Sequence, residues 1–405
     1  MLKNYIKIAY KVFMRRKFFT FISLFAISFT LIVLMVATAY FDQAFGAMAP
    51  ESRLGRTLGV YRMQMSGDNG RRNGSVGYGF LDRYCRNLPN VEKTSFFTTP
   101  ASVSTYTKGE KIKLFFKRTD GEFWQIMDFS FLEGAPFTAE DEKNRNFVAV
   151  INEATRQKFF GAESALGKSI AIDGQNFRIV GVVKNVPALR IQSFSDIWVP
   201  ISTHKGDSYK KEYVGEFMAL FLARSKDDFP AIQEEFDTRL ATAEIPEKEF
   251  NQLSSRAETF LEGLTSEAGG PSRFLLFALV AALLFMLLPT INLININVSR
   301  IMERASEVGV RKAFGASSLT LVGQFVIENV LLSLVGGAIG FVGSVLILHA
   351  IARSGVIPHA EFHFNYRIFL YGLGMAVFFG LFSGVYPAWK MSRLHPVQAL
   401  KGGTR

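Results

Sequence analysis

RIMERASEVGVRKAFGAS, residues 300–317, is a short mixed-charge stretch between two long apolar runs. Arg300, Arg304, Arg311 and Lys312 stand beside that apolar sequence, and basic residues so placed favour the cytoplasmic face of a membrane. Glu307 precedes Arg311 by one helical turn, and Gly315 is placed to end a helix. So short a helix has no core of its own in which to bury Val308, Val310 and Phe314. The reading that follows is a docking surface for a separate soluble protein.

The rest of the chain frames this stretch. It has 405 residues, 49% of them hydrophobic, and 46 basic against 35 acidic residues give a net charge of +11. The apolar residues concentrate at the two ends, and the basic ones cluster beside the apolar runs. Membrane orientation accounts for that pattern more simply than nucleic acid does. The one cysteine, Cys85, rules out an intrachain disulfide and stands among Phe80, Leu81, Tyr84 and Leu88, as a buried thiol would.

Residues 1–17 carry Lys3, Lys7 and Lys11 at one-turn spacing with apolar residues between, which predicts an amphipathic helix on the cytoplasmic membrane surface. Residues 18–41 contain no charge and are long enough to cross about 30 Å of hydrocarbon. A cleaved signal peptide is the rival, although the apolar run is long for one. Residues 42–272 read as a large extracytoplasmic α+β domain with room for two subdomains. Within it, 56–65, 111–118 and 217–224 read as strands, and 78–88 and 229–243 as helices. Asp173-Gly174 reads as a hairpin turn, and the glycine-rich 66–79 as a mobile loop.

Three further transmembrane helices are expected at 273–299, 319–352 and 367–389. They are separated by the cytoplasmic segment 300–318 and a short external loop, 353–366, and followed by a basic cytoplasmic tail, 390–405. The expected fold is a membrane protein of four transmembrane α-helices, one N-terminal and three C-terminal, with the α+β domain between the first and second. With four crossings, every basic segment and both termini fall on the cytoplasmic side.

This plan resembles the MacB/FtsX-like family of ABC transporter permeases. ERASEVGVRKAFGAS, residues 303–317, is similar to that family's cytoplasmic coupling segment. Tyr386-Pro387-Ala388 with Pro396-Val397-Gln398-Ala399-Leu400 resembles its C-terminal ending, although Met391 stands where alanine is usual. Phe159-Phe160-Gly161, Leu166-Gly167-Lys168, residues 177–183 and Asp196-Ile197-Trp198-Val199-Pro200 resemble its periplasmic core.

The resemblance implies a multi-pass permease subunit in a bacterial inner membrane, working as a homodimer or with a paralogue. A cytoplasmic ABC ATPase would drive it, with ATP and Mg on that partner and no cofactor on this chain. The coupling residues would be Glu303, Glu307, Val308, Gly309, Val310, Arg311, Lys312, Ala313, Phe314 and Gly315. ATP-driven movement would be relayed to the external domain, for efflux or extraction of a substrate, with a periplasmic adaptor as a further partner. The other reading is an FtsX-like signalling subunit that activates an external partner such as a cell-wall hydrolase.

Other chemistry is weakly supported. GAESALGKS at 161–169 has one residue too many between its glycines for a phosphate-binding loop, and reads as a turn into a strand. No motor sequence of the chain's own is therefore expected. His359 and His363 stand four apart, as two zinc ligands on a helix would, but Glu361 does not directly follow the first histidine and Pro358 precedes the pair, so a surface loop is expected and no metal. No catalytic arrangement stands out. Glu328, with Gln324, sits near one end of its apolar run and reads as a helix-packing group. Gly336, Gly337, Gly340 and Gly343 supply small-residue spacing for close helix packing, within the chain or at a dimer interface.

Overall fold

The computed structural model describes residues 2–15, 17–68, 70–107, 109–303, 310 and 318–362, together with 366, 367, 369–374, 377, 378 and 381. The chain divides into two compact units. One comprises Met1–Gln43, Leu275–Ser354 and Phe362–Arg405; the other comprises Ala44–Phe274 and Gly355–Glu361.

The first unit is helical. Leu2–Arg15 is followed by Lys17–Phe45, and the Thr20 hydroxyl donates to the Phe13 carbonyl (3.2 Å) across the junction. Two long helices, Pro271–Glu303 and Ser318–Ser354, follow later in the chain. Among the described residues, Lys17–Phe45 and Val326–Ser354 are long and apolar enough to cross a membrane. Hydroxyls inside the first of them return to its own backbone: Thr30 Oγ1 to Ala26 O (2.8 Å) and Thr38 Oγ1 to Leu34 O (2.7 Å). That satisfies them without water.

Lys17–Phe45 and Ser318–Ser354 pack closely because the second carries glycine where they meet. A Cβ on Gly336 would lie 2.8 Å from the Ile27 side chain, and one on Gly343 would lie 2.6 Å from Ile32. At Gly340 it would come within 3.1 Å of the Ser28 carbonyl oxygen. Further along, Ser344 Oγ reaches Met35 Sδ at 3.4 Å. Residue numbers climb together on both helices, so the two run parallel. Glu328, Asn329, Ser333 and Ser344 are buried on Ser318–Ser354, and Gly337 faces Leu373.

The second unit is built on one continuous sheet. Its main path runs Gln252–Ser254, Met63–Gly67, Gly70–Val76, Phe217–Ala223, Val91–Thr98, Glu110–Thr119, Ile197–Pro200, Val148–Asn152, Gln175–Val183, Phe131–Gly134. Most neighbours are antiparallel, but Val148–Asn152 pairs in parallel with Gln175–Val183, through a crossover that contains helix Glu153–Phe160. Asp173 (φ 50°) and Gly174 (φ 73°) make the two-residue turn joining Ser169–Ile172 to Gln175–Val183. Consecutive positive φ is what a type I′ hairpin requires. Gly161 (φ 65°) ends the preceding helix, so GAESALGKS is the turn expected of it.

Two expectations need correction. The span 56–65 is broken into Thr57–Val60 and Met63–Gly67, which pair with different neighbours. The glycine-rich 66–79 contains a strand, Gly70–Val76, held by a regular ladder to Met63–Gly67. Local composition there favours a loop, and the cross-strand hydrogen bonds override it.

Apolar side chains fill both faces. Phe80, Phe96, Phe221, Ile232 and Phe236 form one cluster under helices Tyr78–Tyr84 and Phe229–Ala241, with Cys85 buried in it. Phe97, Phe123, Trp124 and Trp198 form a second cluster, and Ile151, Phe177, Ile179 and Val199 a third.

The glycine contact gives a direct test. Gly340→Leu should lower the thermal stability of the detergent-solubilised chain by about 1–3 kcal/mol, the usual cost of overpacking. Gly374→Leu should not, because nothing lies within 4 Å of the Cβ it would gain. Equal melting temperatures for the two variants would contradict this packing.

Candidate functional site

The second unit contains a buried polar centre, and its organising element is the irregular segment 184–196 between strands Gln175–Val183 and Ile197–Pro200. Arg190 is 2% exposed and faces Glu51, also 2% exposed, at 3.4 Å. Arg190 Nη2 also donates to the Gly46 carbonyl (3.1 Å). Ser193 gives its hydroxyl and its backbone N–H to Glu51 Oε1, at 2.6 and 3.1 Å. Lys117, on strand Glu110–Thr119, is fully buried and donates to the carbonyls of Ile191 and Gln192. Its ammonium also lies 5.2 Å from the centre of the Phe97 ring.

Burial dominates the electrostatics. It pushes the Glu51 carboxyl up, against the opposing pull of Ser193 and Arg190. It brings the Lys117 ammonium down to about 7, with Glu51 resisting. Two basic groups and one acid share a buried site, so each is held by protein donors or acceptors. Each of these polar groups is spent on a buried partner within the centre. It works as a clamp. Gly46 and Glu51 lie just beyond helix Lys17–Phe45 in the chain, so the clamp fixes the segment that leaves that helix.

The same segment holds a second stretch. Gly355–Glu361 belongs to this unit, although it follows helix Ser318–Ser354 in sequence. Ala188 N–H donates to the Pro358 carbonyl (3.0 Å), and His359 Nε2 lies 3.0 Å from Asp196 Oδ1. Asp196 also accepts from the Phe115 N–H (2.8 Å) and from Asn152 Nδ2 (2.9 Å). Burial would raise its carboxyl, but His359, Phe115 and Asn152 outweigh that and hold it below the usual carboxylate range. His359 therefore lies in a loop, as expected, but is largely buried rather than free at the surface, and His363 lies outside the described residues. Among the described residues no group of three or more metal-ligating side chains comes together.

A cleft of about 810 Å³ opens beside the clamp. Tyr61, Ile191, Phe260 and Leu264 give it apolar surface, and Arg62, paired with Glu267 at 2.9 Å, gives it charge. Tyr61 accepts a hydrogen bond from Gln192 Nε2 (3.1 Å), so the cleft wall and the clamp share segment 184–196.

Of the coupling residues read from sequence, Glu303 ends helix Pro271–Glu303, and Val310 is helical and exposed. Glu307, Val308, Gly309, Arg311, Lys312, Ala313, Phe314 and Gly315 lie outside the described residues, as do the tail motifs at 386–400. Gln324 and Glu328 lie on helix Ser318–Ser354, and Glu328 is buried. Gly336, Gly340 and Gly343 face the chain's own first long helix. Glu51, Lys117, Arg190 and His359 went unrecognised as a set because they lie far apart in sequence. The one available signal was the composition of 184–196, where Arg190 and Asp196 stand among Val186, Leu189, Ile191 and Phe194.

Breaking the clamp should be costly. Arg190→Met should destabilise the chain by about 3–5 kcal/mol, because it strips a buried acid of its cation. The Glu51→Gln, Arg190→Met pair should cost less than the sum of the singles. Lys117 supplies a pH signature. Between about pH 7 and the ordinary lysine value of 10.5, the unfolded chain keeps a proton that the folded chain has released. Folding stability should therefore rise with pH across that window. Lys117→Met should flatten the rise in denaturant titrations at pH 7, 8 and 9; an unchanged slope would contradict the assignment.

Comparison with known proteins identifies the architecture. Residues 20–239, more than half of the chain, match the MacB-like periplasmic core domain, and residues 279–396 match the FtsX-like permease C-terminal domain. "Macrolide export ATP-binding/permease protein MacB" of Pasteurella multocida is 30% identical over 280 residues, covering 69% of this chain and 41% of that protein. The Escherichia coli K12 protein of the same name is 28% identical over 284 residues, covering 69% and 42%. The chain thus spans well under half the length of these relatives. Two solved domains are also similar: a putative permease domain from Porphyromonas gingivalis and the periplasmic region of MacB from Actinobacillus actinomycetemcomitans. The first has TM-score 0.41 and 16% identity, covering 51% of this chain and 91% of that one. The second has TM-score 0.38 and 15% identity, covering 52% and 92%. The chain belongs to the MacB-like family of ABC transporter permeases, with an FtsX-like C-terminal membrane part.

Proposed function

We propose that this chain is a permease subunit that converts ATP hydrolysis by a separate cytoplasmic ABC ATPase into movement of its external domain, for efflux or extraction of a substrate at the outer face of a bacterial inner membrane. One observation carries the reading. Helices Lys17–Phe45 and Ser318–Ser354 run parallel in glycine-mediated contact, and the chain segments that follow them, 46–51 and 355–361, both dock on segment 184–196. Displacement along either helix would therefore reach the same buried element of the domain.

In this reading the chain crosses the membrane four times with both termini cytoplasmic, and 300–317 docks on the ATPase, which holds ATP and Mg. The curated relatives carry ATP-binding in their printed names, and the 405 residues contain no phosphate-binding loop of the required spacing. The permease would act as a homodimer or with a paralogue, and a periplasmic adaptor would meet the external domain. The cleft beside Tyr61 is the proposed point of substrate contact, since it joins apolar and charged walls to the clamp. An FtsX-like signalling role is the second reading. In it, an external partner such as a cell-wall hydrolase stands in place of the substrate.

Changing Gly309 and Val310 together to aspartate should abolish co-purification with the ATPase while leaving the chain in the membrane. Retained co-purification with retained ATPase coupling would overturn the docking assignment. Deleting residues 42–270 should spare co-purification and remove biological activity.

A further inference from the structure

We propose that His359 is a positioning residue that makes the loop 355–361 a working part of the external domain, through its contact with Asp196. The geometry defines the bond. Asp196 Oδ1 already accepts from Asn152 Nδ2 at 2.9 Å, and Asn152 Nδ2 also lies 3.2 Å from His359 Nε2. An ionised carboxylate only accepts, so a 3.0 Å contact between Nε2 and Oδ1 puts the proton on Nε2 and directs it to Asp196. That bond is charge-assisted and shielded, with side-chain exposures of 15% for His359 and 7% for Asp196. Its neighbours lock the loop further. Pro358 accepts from Ala188, Ile357 and Ala360 are buried, and the Phe194 ring centre lies 6.4 Å from the imidazole.

The backbone shows the same demand. His359 has φ 56°, in the left-handed region that a residue with a side chain holds only when its surroundings compel it. The direction in which load would travel is set by topology. Asp196 immediately precedes strand Ile197–Pro200, which lies inside the sheet between Glu110–Thr119 and Val148–Asn152. A pull on His359 therefore reaches the middle of the sheet, through a residue that also holds both flanking strands, at Phe115 and Asn152.

The test uses the full chain with its ATPase in membrane vesicles. Ala360→Cys places a thiol at a buried position of the loop, and native Cys85 is buried and silent. Maleimide labelling without nucleotide should be slow in the otherwise native chain. It should be about tenfold faster with His359→Ala, the order expected for one charge-assisted hydrogen bond. His359→Gln, whose amide can still donate, should restore protection. His359→Asn, which tolerates the left-handed backbone but falls short of Asp196, should not, and it serves if the alanine variant fails to fold. Val356→Cys, at an exposed position, should label equally in all backgrounds. Equal Ala360→Cys rates in the native, His359→Asn and His359→Gln backgrounds would overturn the proposal.

The role in coupling rests on the permease reading above and is measured separately. With ATP and Mg, His359→Asn should leave ATP hydrolysis near the native rate and reduce biological activity, with His359→Gln recovering it. Native activity in the His359→Asn variant would overturn the coupling role. Loss of ATPase association with the native chain would instead count against the permease reading, while the labelling result stood.

Discussion

An arginine and a glutamate removed from water together, Arg190 and Glu51, are the constraint on which the external domain depends. Neither charge can be buried alone at tolerable cost, so their positions are tied to each other and to the groups that complete their hydrogen bonds. Those groups lie on several parts of the chain. Gly46 and Glu51 follow the first long helix, Ser193 lies on segment 184–196, and Lys117 reaches the same segment from a central strand. A buried ionic centre contributes little net stability over an apolar one, but it tolerates few alternative arrangements.

The helical unit relies on a different physical device. Between apolar helices in lipid, burial offers no preference, and close backbone approach supplies the attraction instead. Gly336, Gly340 and Gly343 allow that approach against Ile27, Ser28, Leu31 and Ile32. The parallel run of the two helices follows from this register. Both helices then lead, through short segments, to the polar attachments on 184–196.

Much of the fold was legible because its signals are local. The charge-free run at 18–41, the Asp173-Gly174 turn and the helix at 229–243 each declare themselves within a short window. The strand Gly70–Val76 does not, because RRNGS lacks strand-forming residues and is held in the sheet by Met63–Gly67. Residues 56–65 read as one strand for the opposite reason. Their local propensity is continuous, and the break at Tyr61 and Arg62 arises from pairing with two different neighbours. The glycines were recognised as a packing surface, but their partner helix was not, since spacing alone does not say what approaches. His359 was read as a surface residue because Asp196, its partner, lies 163 positions away.

The sequence by itself determined the membrane character, the large domain between the first apolar run and the C-terminal ones, the family, and the charged stretch at 300–317. All of these rest on composition and short-range pattern, which survive without coordinates. Only the tertiary structure decided that Glu51, Lys117, Arg190 and Asp196 converge on one segment, and that a loop near the end of the chain closes onto it through His359. Buried polar groups must find partners wherever the fold brings them. The partners are chosen in space, by desolvation and hydrogen-bond geometry, and leave no periodicity in the sequence to read.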